Sequence, residues 1–224
     1  MAWNVKINKV MILLSMMAGL LAAGCAGSRW TTQERALIED QPDVMRVLTV
    51  EDADDLAVLR TVCRDFSRRE LSDPLYRTLA AKLVATVTSP EQDGVGIAGP
   101  QVGISRRLIV VQRLDKEGEP FEAYANIRID SLLGPTVPGP EGCLSIPPYR
   151  GIVPRAEGVV ISYTDPATKE MVVEEISGYT AIIFQHECDH LDGILYTDRA
   201  DTVFVNDAWA LERSSHSYSR PTWW

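Results

Sequence analysis

In the stretch "QHECDHLDG", residues 185–193, His186 and His190 stand four positions apart with Glu187 between them. On a helix this spacing stacks both imidazoles on one face, a turn apart, and sets a carboxylate beside the first where it can reach water on a bound ion. Two histidines and a glutamate buried on a helix for structure alone would carry a heavy desolvation cost. A catalytic zinc-type site takes three protein ligands and keeps one open position, so the third ligand decides the class. A metzincin-like protease would put a histidine at position 196, which is Tyr196. A thermolysin-like protease would bring a glutamate from a following helix, and the nearest, Glu212, stands in a segment poor in aliphatic residues. Upstream, Cys143 sits in "GPEGCLSIPPYRG", a loop stiffened by prolines. A thiolate is a good ligand for zinc or ferrous iron, and beside the histidine pair Cys143 reads as the third ligand.

The elements that must position these residues follow from periodicity. "YTAIIFQHECDH", residues 179–190, has the length of a helix and little polar face, so it is expected to be buried on most sides. Leu75, Leu79, Leu83 and Val87 make one stripe of a second helix, which Asp73 before Pro74 suits as a start. "RLIVVQRL" reads as a buried strand ending at the "DKEGEP" turn, and "GVVISYTD" with "EMVVEEISG" as a strand pair around "PATK". "GVGIAGPQVG" is glycine-rich enough to be expected as a loop. Gly94 and Gly96 there would let a peptide lie against bare backbone, and Gly142 would let the chain turn beside Cys143. Strands flanked by a helix before and a helix after favour an α+β domain.

Three ordered blocks resemble those of the peptide deformylases: "GVGIAGPQ" (94–101), "EGCLS" (141–145) and "QHECDHLDG" (185–193). With "PPYRGIVPRAEGVVISYTD", the similarity runs from about Val47 to Asp201. The resemblance implies antiparallel β-sheets around a central helix carrying the histidine motif, and removal of formyl groups from N-formylmethionyl peptides with release of formate. It implies that Cys143, His186 and His190 hold one divalent ion, Fe2+ or Zn2+ with Ni2+ also accepted. Glu187 would take a proton from water on that ion and pass it to the departing nitrogen. The Gln101 side-chain amide and the Leu144 backbone N–H are then placed as donors to the developing oxyanion. Arg150 is expected near the substrate peptide, and Val95, Ile182 and Ile183 around a methionine pocket; each also reads as surface or core. Asp189 is expected to orient a ligand or brace the loop. Two departures stand out: Gly99 replaces a second alanine and is expected to loosen the loop that carries Gln101, and Asn126 lacks a following proline.

The chain has 224 residues and a net charge of -9, which suits one catalytic domain and argues against nucleic acid as a partner. Lys6 and Lys9 precede an apolar run from Val10 to Ala23, shorter than the roughly 20 residues a membrane span needs. "LAAGC" resembles a bacterial lipoprotein signal, which implies a signal peptide over 1–24, lipidation at Cys25 and a membrane anchor, with Ala26 leaning towards the outer membrane. The expected organisation continues with a tether over 25–41, a catalytic domain over 42–207 and a tail over 208–224. Cys63, Cys143 and Cys188 remain, an odd number that leaves a thiol free for metal even in an oxidising compartment. An exported protein faces away from ribosomes. Two other functions therefore stay open: an amidohydrolase for another N-acyl group, and a metal- or peptide-binding lipoprotein. The sequence leaves the oligomeric state open.

Overall fold

The computed structural model describes residues 30–206. The expected signal segment 1–24, Cys25 and the tail 208–224 lie outside the described residues. Five helices, α1 (Thr32–Glu39), α2 (Ala53–Leu59), α3 (Arg68–Ser72), α4 (Pro74–Val87) and α5 (Tyr179–Leu191), accompany six strands. The strands are β1 (Gly96–Ala98), β2 (Leu108–Gln112), β3 (Phe121–Gly142), β4 (Tyr149–Thr164), β5 (Met171–Ser177) and β6 (Thr202–Val205). They form one antiparallel sheet in the order β1-β2-β3-β4-β5, with β6 paired to the start of β4. This is the α+β architecture expected, with its strands joined into a single six-stranded sheet.

Strand β2 shows why its sequence is apolar throughout. Leu108 and Val110 point into the core shared with α4, while Ile109 and Val111 point into the core under α5. Side chains alternate across a strand, so a strand covered on both faces has no polar side. Helix α4 starts where Asp73 accepts the Leu75 N–H at 3.0 Å, with Pro74 at its first position. Leu75, Leu79, Leu83 and Val87 are all buried, as the stripe predicts. Helix α5 is buried over most of its surface, with Ala181, Phe184, Cys188 and Leu191 against β2, β4 and β5 and its histidines turned the other way.

Two local expectations are corrected. "GVGIAGPQVG" is not loop throughout, because Gly96–Ala98 pairs with β2 and residues Gly99–Val102 form a 3-10 turn. The glycines there mark close approach of neighbouring groups rather than irregular backbone. Residues 30–41, expected within the tether, are part of the folded domain. Trp30 and Ile38 are buried, Thr31 and Glu34 cap α1 reciprocally, and Glu34 pairs with Arg106 at 2.6 Å. An ion pair shares that anchoring with Trp30 and Ile38, and ion pairs leave no trace in apolar periodicity. At Asn126, where a proline was missed, φ is 55° and the β3–β4 register shifts. The Asn126 side chain bridges the Phe66 backbone, accepting its N–H at 2.7 Å and donating to its carbonyl at 3.0 Å.

Candidate metal centre

Helix α5 brings His186 and His190 onto one face, with ring centroids 5.1 Å apart. The chain leaving β3 carries Cys143 to them. Its Sγ lies 3.2 Å from His190 Nε2, and the donor atoms of Cys143, His186 and His190 all fall within 4.8 Å of one another. Beside them Glu187 is only 4% exposed, and its carboxylate rests against β1. A Cβ at Gly96 would stand 2.5 Å from Glu187 Oε1 and 2.8 Å from Ile183 Cγ2, so only glycine lets the carboxylate approach.

A cleft of about 440 Å³ opens over this cluster. Gly94, Val95, Gly96, Arg150, Ile182 and Ile183, the expected substrate-contacting residues, all line it. So do Gln101, Cys143, Leu144, His186 and Glu187, whereas His190 lies beneath at 1% exposure. Gln101 is fixed at both ends: its Oε1 accepts the Ala98 N–H at 2.8 Å, and its Nε2 lies 3.2 Å from Ser145 Oγ and 3.6 Å from Cys143 Sγ. The amide nitrogen therefore faces Cys143. Gly99 does not loosen this turn. A Cβ there would meet the Ile104 carbonyl at 2.7 Å and the Arg106 carbonyl at 2.9 Å, so glycine allows the tight packing that holds Gln101.

Several neighbours gave little signal in the sequence. Glu141 Oε2 lies 2.9 Å from His186 Nδ1, a contact that sets that ring's tautomer and turns its Nε2 outward. Glu141 is gripped in turn by Arg155, at 2.7 and 3.0 Å. Glu141 stands two positions before Cys143, the strand spacing that places side chains on one face, and this was the available clue. Tyr196 stacks over His186 with centroids 6.1 Å apart. Asp189, expected to orient a ligand or brace the loop, takes the second role: it accepts from Arg155 at 2.6 Å and from Arg199 at 2.6 and 2.7 Å. Tyr149 and Tyr179 also line the cleft, with nothing in their local sequence to mark them.

The electrostatics divide sharply within a few ångströms. Burial opposes ionisation of Glu141, yet His186 and Arg155 outweigh it and bring its pKa down to about 2. Burial would likewise lower His186, but Cys143 and Glu141 hold it well above its ordinary value. His190, buried and facing the charge of His186, is held well below. Burial pushes Glu187 up to about 7. Its Oε2 and the Nδ1 of His190 are buried without a hydrogen-bond partner among the described residues. A sulfur and two imidazoles at these separations suit zinc or ferrous iron, and an ion there would take the place of a proton on His186. The residues present fit a divalent metal.

A family model described as polypeptide deformylase matches residues 44–204. A peptide deformylase of Symbiobacterium thermophilum is 48% identical over 137 residues, which cover 61% of this chain and 57% of that protein's length. A peptide deformylase of a Roseiflexus species is 33% identical over 166 residues, covering 69% of this chain and 87% of that one. Among solved structures, an actinonin-bound class I type b peptide deformylase from Acinetobacter baumannii superposes with a TM-score of 0.61 at 36% identity, covering 70% of this chain and 99% of that one. A peptide deformylase from Thermotoga maritima gives a TM-score of 0.61 at 32% identity over 71% and 99% of the two chains.

Proposed function

Because the chain belongs to the polypeptide deformylase family, we propose that it hydrolyses the formamide of N-formyl peptides, releasing formate and a free amino terminus. The observation that carries this reading is the pairing of three soft and borderline donors with one carboxylate, Glu187, that the protein leaves unmatched inside a peptide-sized cleft. Cys143, His186 and His190 would hold the divalent ion. Bound there, such an ion would supply an activated water, whose pKa falls to about 7 in favourable sites.

The chain's own residues do the rest. Glu141 and Arg155 fix the His186 ring, and Gly96 gives Glu187 room to sit at the cleft wall. Glu187 accepts a proton from the attacking water and returns it to the amine nitrogen as the C–N bond breaks. Gln101 Nε2 and the Leu144 N–H donate to the oxygen that gains charge; losing one such donor typically costs about 2.7–4 kcal/mol. Strand β1 is an edge of the sheet, so an extended peptide can add to it through backbone hydrogen bonds. Val95, Ile182 and Ile183 receive an apolar side chain and Arg150 the following residues.

The test loads the purified chain with ferrous iron, and separately with zinc, under anaerobic conditions. Release of free amine is compared for formyl-Met-Ala-Ser and acetyl-Met-Ala-Ser. Turnover confined to the formyl peptide is expected. Turnover of the acetyl peptide alone would move the reading to another amidohydrolase, and metal binding without either would leave a binding protein.

We also propose export with lipidation at Cys25, supported by Lys6, Lys9, the apolar run and "LAAGC". No helix among the described residues is long and apolar enough to cross a membrane. Metabolic labelling with a palmitate analogue should mark the chain and leave Cys25→Ser unmarked. Equal labelling of both would end the lipidation reading.

A further inference from the structure

Three buried polar atoms around the metal centre have no hydrogen-bond partner among the described residues: Glu187 Oε2, His190 Nδ1 and the Tyr196 hydroxyl. The proposed reaction uses the first, and the second belongs to a ligand of the proposed site. The Tyr196 hydroxyl is left over. This residue is 1% exposed, and its ring stacks over His186 with centroids 6.1 Å apart. Burying a hydroxyl without a partner costs stability, and phenylalanine would supply the same ring without that cost. Packing explains the ring; it does not explain the oxygen.

The surroundings identify what the hydroxyl donates to. Tyr196 opens the short turn Tyr196–Asp198 after α5, which Asp198 fixes by accepting the Leu195 N–H at 2.9 Å and an Arg60 Nη2–H at 3.1 Å. The ring fits because position 151 is glycine: a Cβ there would stand 2.8 Å from Tyr196 Cε2. Ile146, Val153, Leu195 and Tyr196 form a small apolar cluster, and Cys143 packs against it. Burial raises the pKa of the phenol, Cys143 raises it further, Arg150 opposes them, and Glu141 adds a smaller push. Of these three neighbours, Arg150 carries only donors, and both Glu141 oxygens are engaged by Arg155 and His186. The acceptor left for the phenol proton is the Cys143 sulfur. Ligation makes that sulfur a thiolate, and a hydrogen bond to an ionised acceptor is stronger than one between neutral groups.

We infer that Tyr196 is a positioning residue of the metal centre: its hydroxyl donates to the Cys143 thiolate when that side chain holds the ion, fixing the ligand and tempering its charge. The inference rests on the metal site of the proposed function, and its test separates the two. Tyr196→Phe keeps the ring and removes the hydroxyl alone. The purified chain and this variant are titrated anaerobically with Co2+ against a chromophoric chelator, and the sulfur-to-cobalt charge-transfer band is recorded. Affinity should fall by about tenfold, at the lower end of the 10–100-fold that losing a ligand's partner costs. The band should move to lower energy, because a thiolate without its donor gives up charge more readily. Urea unfolding without added ion should find the variant as stable as the parent or more so, since an unmatched hydroxyl is gone. A variant equal to the parent in affinity and band position would overturn the inference. So would one that unfolds more easily while its band stays in place, which would make the hydroxyl a structural group. Co2+ binding by the parent without turnover of formyl-Met-Ala-Ser would reject the deformylase reading and leave the inference standing. A parent that shows no sulfur-to-cobalt band would reject both.

Discussion

Two buried polar clusters in this protein treat their carboxylates in opposite ways. Around Arg106, which is fully buried, Glu34 accepts from Nε at 2.6 Å and Nη2 at 3.1 Å, and Glu70 from Nη2 at 2.7 Å. Glu34 Oε2, which also takes the Nη2 bond, accepts the Thr31 backbone N–H, and Glu70 Oε2 accepts that of Ser67, both at 2.7 Å. The guanidinium lies over the Trp30 ring at 4.9 Å and the Phe66 ring at 5.3 Å. Around Glu187 the reverse holds: the carboxylate is buried, its pKa is raised and one oxygen has no partner among the described residues. Protein groups match both carboxylates of the first cluster, whereas no described protein group matches Oε2 of Glu187. That difference separates a clamp holding helices α1 and α3 to the sheet from a place where chemistry is done.

The sharpest way to break the comparison is to remove one charge from each cluster. Glu187→Gln keeps the shape and removes a charge that the fold opposes, so thermal stability should hold or rise. Turnover should fall by about 10²–10⁴-fold, the usual share of a general acid–base group. If activity survives and stability drops, Glu187 belongs with the structural carboxylates and the contrast collapses. In the other cluster, Arg106→Leu strands Glu34 and Glu70 in the interior and should cost about 3–5 kcal/mol of stability, as breaking a buried ion pair does. Urea unfolding measures this, while turnover per folded molecule should persist.

Glu141 stands between the two kinds. It is matched on both oxygens, by Arg155 and by His186, yet the histidine is a metal ligand in the proposed site. Glu141→Gln should therefore weaken metal affinity by about 10–100-fold, the ordinary effect of losing a partner that orients a ligating histidine. Competition with a chromophoric chelator gives the number. A variant that unfolds more easily but binds metal as before would assign Glu141 to the structural class.

The same contrast explains what could be read before folding. His186, Glu187 and Cys143 were legible because metal chemistry restricts residue types and spacing, and α4, α5 and β2 because burial imposes a period. The Arg106 cluster was not. Glu34 and Arg106 lie 72 positions apart, and nothing local to either announces the other, so α1 was misjudged as tether. Gly99 was misread for a related reason: its meaning depends on the Ile104 and Arg106 carbonyls that pack against it. Glycine in a sequence reports permission, and only the structure shows what uses it.

The smallest expected effect sharpens the comparison by pH. The Glu34 and Glu70 pKa values lie below the ordinary 4.5, because the bonds to Arg106 outweigh burial. A carboxylate with a depressed folded pKa binds fewer protons in the native state than in the unfolded chain. Its contribution to stability is thus complete above the ordinary value and disappears as pH falls through the depressed ones. Urea midpoints of the chain should accordingly decline as pH is lowered below about 4.5. In Arg106→Leu the carboxylates lose their partner while burial remains, so their folded pKa values should rise and this part of the pH dependence should flatten or change sign. Parallel pH profiles for the two proteins would mean that Arg106 is not what holds these groups ionised, and the clamp would have to be reassigned to the backbone donors at Thr31 and Ser67.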